Sequence, residues 1–200
     1  NHIHVTGNTG IDALFYIAEK TKNHLPKGPE WDNNQIILAT IHRRENWTKL
    51  EEISIGLKKF IDKNIQASLL IPMHKNIEIR KIFQETLGSH PRIFLIDTLD
   101  YDQMVLVLKK CFFVMTDSGG IQEEAPSFGK PVLVLRENTE RSESLEAGVS
   151  KLIGTNRDEI AYEASKLFSN KKIYEQMSQA INPYGDGKAS EIICKYCYDF

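Results

Sequence analysis

Cys111-Phe112-Phe113-Val114-Met115-Thr116-Asp117-Ser118-Gly119-Gly120-Ile121-Gln122-Glu123-Glu124-Ala125 carries the clearest fold signal in this chain. Its first six residues form a short run rich in aromatic and branched side chains, which reads as a buried strand. Ser-Gly-Gly interrupts the run, and Ile-Gln-Glu-Glu-Ala resumes with helical composition. The pattern therefore predicts a strand, a tight turn and a helix start capped by Ser118. Two glycines let a ligand approach the backbone, and the free amides and dipole of a helix start favour phosphate. On its own the turn fits equally a capped strand-to-helix junction that binds nothing, because Ser-Gly-Gly is far less specific than a full P-loop.

The same unit recurs on both sides. Upstream, residues 35–41 (Gln-Ile-Ile-Leu-Ala-Thr-Ile) and 68–72 (Ser-Leu-Leu-Ile-Pro) read as strands, followed by a shorter one at 92–96. Downstream, 131–135 and 150–154 complete six. Between them lie helical patterns: Ile53, Leu57, Phe60 and Ile61 on one face after a capping box at Thr48-Lys49-Leu50-Glu51; Ile79, Ile82 and Phe83; and Met104, Val107 and Leu108, with Asp100 or Asp102 as cap. Residues 158–168 and 172–180 read as helices, and a turn at Asn182-Pro183-Tyr184-Gly185-Asp186-Gly187 precedes a last one. Ile11, Leu14, Phe15 and Ala18 share another helical face, with Thr9 as its N-cap, and 23–34, with Pro26, Gly28 and Pro29, reads as a surface loop too short to divide domains. Strand and helix alternate, which argues an α/β, Rossmann-like parallel sheet with helices on both faces.

Composition narrows the function classes. Two hundred residues with 41% hydrophobic and 26% charged side chains suit one sizeable core. A net charge of -2 with both signs interspersed leaves no nucleic-acid footprint, and no apolar run is long enough to cross a bilayer. Three scattered cysteines and the lack of a signal peptide suggest a reducing cytoplasm. Cys194-x-x-Cys197 is one pair without a second, so packing is preferred to a metal or redox role, and no metal is expected. The chain opens on Asn1-His2-Ile3 with no initiator Met, and its start reads as cut.

In parallel α/β sheets ligands gather at the carboxyl ends of strands. The strand at 35–41 delivers His42-Arg43-Arg44-Glu45-Asn46 there, the strand at 68–72 delivers Met73-His74-Lys75-Asn76, and the strand at 131–135 ends in Arg136-Glu137-Asn138-Thr139-Glu140-Arg141. Arginines at such a place suit phosphate, and histidine suits proton handling. A solvated charged loop and a structural His74 are the plainer alternatives.

Taken together, Gly7-Asn8-Thr9 with Ile11-Asp12-Ala13-Leu14, His42-Arg43-Arg44-Glu45-Asn46, Pro72-Met73-His74, Asp117 to Ala125, Thr139-Glu140-Arg141 and Asn182 to Gly187 resemble the non-hydrolysing UDP-N-acetylglucosamine 2-epimerases over nearly the whole chain. That family has two Rossmann-like domains of the glycosyltransferase-B type. The resemblance implies that this chain is the C-terminal, nucleotide-sugar (UDP) binding domain, with the N-terminal domain missing.

What it further implies is a cofactor-free interconversion of UDP-GlcNAc and UDP-ManNAc: the C2 proton is removed, UDP is eliminated to 2-acetamidoglucal, and reprotonation on the other face precedes re-addition of UDP. By resemblance Ser118, Gly119 and Gly120 hold the diphosphate, Glu124 takes the ribose hydroxyls and Arg141 is a further contact. His42 matches a histidine needed for activity. Arg43 and His74 match positions touching a second UDP-GlcNAc that acts as an activator in bacterial members. Leu99 and Met104 match positions flanking the nucleotide, Met104 standing where an aromatic residue is expected. The proposed acid and base carboxylates belong to the missing domain, so the isolated chain is expected to bind UDP weakly and not to epimerise UDP-GlcNAc. The full-length protein is expected to be a cytoplasmic homodimer, in envelope polysaccharide or teichoic-acid linkage synthesis. A glycosyltransferase-B type transferase domain, a non-catalytic nucleotide-sugar binding module, and an epimerase of a modified sugar are the alternatives.

Overall fold

The inner strands are buried on both faces, whereas the edge strand at 150–152 leaves Lys151 exposed. The six strands are β1 (Gln35–Thr40), β2 (Ala67–Pro72), β3 (Ile93–Ile96), β4 (Val114–Thr116), β5 (Val132–Val134) and β6 (Ser150–Leu152). The computed structural model describes residues 3–22, 24–32 and 35–198. Asn23, Asn33 and Asn34 of the expected loop, and Asn1 and His2 of the chain's opening, lie outside the described residues.

All six strands pair in parallel in the order β3-β2-β1-β4-β5-β6. Leu38 of β1 is in register with Leu70 of β2 on one side and Val114 of β4 on the other. The chain thus runs outward through β2 and β3, then returns to the opposite side of β1. The order reverses between β1 and β4, where a parallel sheet opens a crevice outside its strand ends.

Alternation along β1 sends side chains to two cores. Ile37 and Ala39 join α2 (Leu50–Lys63), α3 (Ile77–Leu87) and α7 (Arg157–Ser169) in one cluster that includes Leu57, Phe60, Phe83 and Leu167. Ile36 and Leu38 join α4 (Tyr101–Lys110) and α5 (Gly119–Glu124) in the other, with Val107, Leu108 and Ile121. Gly56 lets α2 and α7 close on each other, since a Cβ there would lie 2.9 Å from Arg157 O and from Ile160 Cβ. The remaining helices are α1 (Thr9–Lys20), α6 (Ser142–Glu146), α8 (Lys171–Ser178) and α9 (Ala189–Tyr198). Among the described residues no helix is long and apolar enough to cross a membrane.

Several expected caps are replaced. Asn8, not Thr9, caps α1, its side-chain oxygen accepting from Gly10 N at 2.8 Å. Residues Arg44–Lys49 wind into a 3-10 turn, so the capping box at Thr48 does not form and α2 starts at Leu50 with no side-chain cap. Asp100 stands at the N-cap of α4 without a side-chain bond, while Asp102 accepts from Gln103 N. Ser118 is the N-cap residue of α5 by position only, because its hydroxyl makes no capping bond and its amide donates to Thr116 Oγ1 at 2.9 Å.

Candidate functional site

At the reversal, β1 and β4 lie side by side and the loops leaving them must share space. Thr40 and Thr116, the last residues of the two strands, pair hydroxyl to hydroxyl at 2.5 Å. One step further, Asp117 is fully buried, and a buried carboxylate needs donors. It accepts from His42 N at 3.1 Å, Arg43 N at 2.9 Å and Asn46 Nδ2 at 3.0 Å. His42 Nδ1 stands 3.5 Å from Asp117 Oδ1, leaving Nε2 as the ring nitrogen turned away from this carboxylate. Asn46 is itself buried and also donates to Leu135 O at 2.9 Å. Asp117 therefore fixes the His42-Arg43 loop to the start of α5.

The crevice is a cavity of about 280 Å³ lined by Thr40, Ile41, His42, Pro72, His74, Thr98, Leu99, Met104, Ser118 and Ile121. Five of the expected site residues, His42, His74, Leu99, Met104 and Ser118, thus meet around one space. His74 is oriented by Asn76 N, which donates to its Nδ1 at 3.1 Å; in the neutral ring this leaves the proton on Nε2. The size sits at the lower edge of the about 300–1,000 Å³ usual for small-molecule pockets. A wider recess of about 600 Å³ between Val5, Phe15, Ile181 and Asp186 holds one charged side chain and no basic one.

Arg43, Gly119, Gly120, Glu124 and Arg141 do not line this cavity; Arg43 directly follows its lining residue His42, and Gly119 and Gly120 directly follow Ser118. Arg43 and Arg141 converge on Gly119, where a Cβ would lie 3.3 Å from Arg43 Nη2 and 3.2 Å from Arg141 Nη2. Two guanidinium groups this close repel unless carboxylates sit among them. Glu140 does so, with Oε1 3.0 Å from Arg141 Nη1 and 3.5 Å from Arg43 Nη2. Its other oxygen accepts from Arg136 Nη1 at 2.6 Å, and Arg136 Nε reaches Glu45 at 2.6 Å. Burial alone would lower the Arg136 pKa, but the bonds to Glu45 and Glu140 outweigh it and hold it above its ordinary value. Its own backbone amide and then Arg136 hold the Glu140 carboxyl below the usual range.

Arg141 is fixed from a second direction. Its Nε donates to Glu123 Oε1 at 2.7 Å, and Glu123 Oε2 accepts from Asn8 Nδ2 at 2.6 Å. Asn8 N in turn donates to Tyr184 O at 2.8 Å, and Asn182 Nδ2 donates to Glu123 O at 3.2 Å. Asn8 of the Gly-Asn-Thr-Gly segment therefore braces the Glu123 carboxylate that aims Arg141, and the Asn-Pro-Tyr-Gly-Asp-Gly turn holds Asn8 and the Glu123 backbone in place. Thr139 adds a bridge, accepting from Arg141 N and donating to Gln122 Oε1.

Gly120 differs from Gly119. A Cβ built on it meets nothing within 4 Å, and its φ is not in the left-handed region. Nothing in the chain requires a glycine there. Glu124, one turn further on the same helix face, is half-buried and accepts from Tyr101 Oη at 3.1 Å. Burial pushes its pKa up, the Tyr101 bond opposes that, and Glu123 adds to the rise.

Reasoning from sequence alone missed Asp117, Glu123, Glu140 and Tyr101 as supports. Asp117 carried a local signal, an acidic residue closing an apolar strand before Ser-Gly-Gly. The others are polar residues in polar stretches, and no spacing marks them. Cys194 and Cys197 are exposed free thiols on α9, and the described residues contain no group of three or more His, Cys, Asp or Glu placed to hold a metal.

The family described as UDP-N-acetylglucosamine 2-epimerase matches residues 1–197. A Campylobacter jejuni protein named UDP-N-acetylglucosamine 2-epimerase is 45% identical over 203 residues, covering 96% of this chain and 53% of its own length. The S. aureus MnaA-UDP co-structure is similar at 47% identity and TM-score 0.89, over 96% of this chain and 53% of that one. A Neisseria meningitidis UDP-GlcNAc 2-epimerase bound to UDP-GlcNAc is similar at 40% identity and TM-score 0.89, over 98% and 55%. In fold alone, the chain also resembles the C-terminal domain of a Francisella tularensis glycosyl transferase, at 15% identity and TM-score 0.59 over 80% and 86%. The chain spans about half the length of the curated relatives it matches.

Proposed function

The chain belongs to the UDP-N-acetylglucosamine 2-epimerase family, and from that premise we propose that it is the UDP-holding half of an enzyme interconverting UDP-GlcNAc and UDP-ManNAc. The observation that carries the proposal is the opening over Gly120 beside a pair of arginines closed on Gly119. A glycine that neither packing nor backbone conformation requires, next to two cations at the carboxyl ends of β1 and β5, is suited to a diphosphate. Two relatives solved with UDP and with UDP-GlcNAc support the ligand.

In this reading the uridine enters the cavity between Leu99, Met104 and His74, and the diphosphate lies over Ser118, Gly119 and Gly120. Glu124 accepts from the ribose hydroxyls. The arginines, rather than the dipole of the six-residue α5, carry most of the positive charge. Elimination breaks the bond between the sugar C1 and the diphosphate oxygen as the C2 proton leaves, and charge grows on the departing UDP. Arg43, Arg141 and the α5 amides are already in place to stabilise it, which is where preorganised donors lower a barrier most. His42, with Nδ1 turned to Asp117, presents Nε2 to the same charge or to a proton in transit. Re-addition to the glycal reverses the C1–O step after protonation of C2 from the opposite face.

The acid and base for C2 lie, in this reading, on an N-terminal domain outside these 200 residues, and domain closure excludes water from the glycal. The isolated chain then binds UDP and turns nothing over. The full-length protein is a cytoplasmic homodimer, its oligomeric state checked by light scattering. Calorimetry tests the ligand directly: Ser118→Ala and Glu124→Ala should each weaken UDP binding, and UDP should bind in preference to GDP. Unchanged affinity in both variants would reduce the Ser-Gly-Gly turn to a plain helix start. Turnover of UDP-GlcNAc by the isolated chain would overturn the division of labour.

A further inference from the structure

Tyr101 is 44% exposed and stands outside both main core clusters, so packing does not account for its hydroxyl. It is the first residue of α4, one turn before Met104, whose side chain lines the cavity. Residues three apart on a helix share a face, so Tyr101 and Met104 look the same way. From α5, Glu124 shares its face with Gly120 four residues earlier, on the open side of the helix. The two faces meet at one bond, Tyr101 Oη donating to Glu124 Oε1 at 3.1 Å.

We propose that Tyr101 is a specificity-determining positioning residue: by occupying one oxygen of Glu124 it turns the other toward the ligand, and so sets the discrimination between a ribonucleotide and one lacking ribose hydroxyls. This rests on the reading of Glu124 as the ribose acceptor. A carboxylate has two oxygens and a freely turning side chain, and pairing two vicinal hydroxyls needs it held in one rotamer. An O–H donor at Oε1 holds it without adding charge, which a lysine could not do. Burial and the neighbouring Glu123 both push Glu124 toward its neutral form, and the phenol opposes them by bonding to the ionised one. Burial first, and then Glu124 itself, raise the Tyr101 pKa to about 12, so the hydroxyl stays a donor at any working pH.

The test compares UDP with 2′,3′-dideoxy-UDP by calorimetry on the wild-type protein, Tyr101→Phe and Glu124→Ala. The wild type should prefer UDP, and Glu124→Ala should erase the preference. Tyr101→Phe keeps the ring and should raise the Kd for UDP about 2- to 12-fold, the worth of one hydrogen bond, while leaving dideoxy-UDP unchanged. If the wild type prefers UDP and Glu124→Ala abolishes this, yet Tyr101→Phe keeps the wild-type ratio, the role of Tyr101 is refuted and the ribose reading stands. If Tyr101→Phe weakens both ligands equally, Tyr101 merely supports the fold and the proposal also fails. If the wild type does not discriminate, the ribose reading of Glu124 itself is wrong and Tyr101 falls with it.

Discussion

Gly120→Ala separates what the chain needs from what a ligand needs. Among ordinary helix residues glycine is the most costly, because the unfolded chain gains most from its freedom. At a position whose backbone alanine can adopt, replacement stabilises by about 0.4–1 kcal/mol. Gly120 is such a position: it is the second residue of α5, has no left-handed φ, and its Cβ would meet no atom within 4 Å. At about 2–4 °C per kcal/mol for a protein of this size, Tm should rise by about 1–4 °C. On the proposed reading, the same methyl group would stand where the diphosphate approaches the backbone. Losing one charge-assisted hydrogen bond there costs about 1.5–3 kcal/mol, or about 10- to 150-fold in the Kd for UDP. Differential scanning calorimetry and UDP titration on one preparation read both signs. Gly119→Ala is the matched control: its Cβ would press on the Arg141 and Arg43 guanidinium groups at 3.2 and 3.3 Å, so affinity should fall without the gain in Tm. A Gly120→Ala protein that melts higher and binds UDP as tightly as before would refute the view that this glycine clears space for a ligand.

Asp117→Ala should lower stability by about 1–3 kcal/mol or more, a drop of at least about 2–12 °C in Tm, because His42 N, Arg43 N and Asn46 Nδ2 lose a buried acceptor. Thermal melting checks it, and a loss under 1 kcal/mol would show that these donors find other partners. Glu124→Gln should raise Tm at pH 7, since burial lifts the native pKa of Glu124 above its unfolded value. Such a group contributes stability below its unfolded pKa of about 4.3 and loses it as the pH rises through the native pKa, so the difference between variant and wild type should close on acidification. Met104→Phe should tighten UDP binding about 2- to 12-fold if an aromatic ring there stacks on the base, as calorimetry would show.

How much of this was legible in the sequence depended on the range of the forces involved. The inner strands were legible because each is an apolar run bounded by turn signals, and burial on both faces is a local property of composition; the edge strand Ser150–Leu152, with Lys151 exposed, carries a weaker signal. Strand ends were less legible: the run at 111–116 is a strand only over Val114–Thr116, since Phe112 turns aside to stack on Tyr174 with centroids 4.3 Å apart. Caps failed too. Ser118 sits at the N-cap without a capping bond, and Arg44–Lys49 coils where a capping box was read. The cavity-lining His42, His74, Leu99, Met104 and Ser118 came together because strand ends in a parallel sheet share an edge. Glu123 was invisible because its partner Asn8 lies 115 residues away, and a carboxylate in a polar stretch looks the same whether solvated or bonded.

The carboxylate supports explain why positively charged groups can crowd one glycine. Arg43, Arg136 and Arg141 all reach Glu140, and without that carboxylate their mutual repulsion would splay the pair over Gly119. Glu140 is therefore both a support and a competitor: on the proposed reading it offers Arg43 and Arg141 what a diphosphate would offer. The two oxygens divide the roles. Oε2 is held at 2.6 Å by Arg136, whose Nε is fixed by Glu45, whereas Oε1 makes the longer contacts of 3.0 and 3.5 Å to Arg141 and Arg43. A diphosphate can take over the weaker pair of contacts while the stronger one keeps Glu140 in place. On that reading binding exchanges one anion for another at prepositioned cations, which keeps the geometry fixed through the proposed departure and return of UDP and limits how tightly the site holds it. A reaction that must release and recapture the same leaving group is served by both properties.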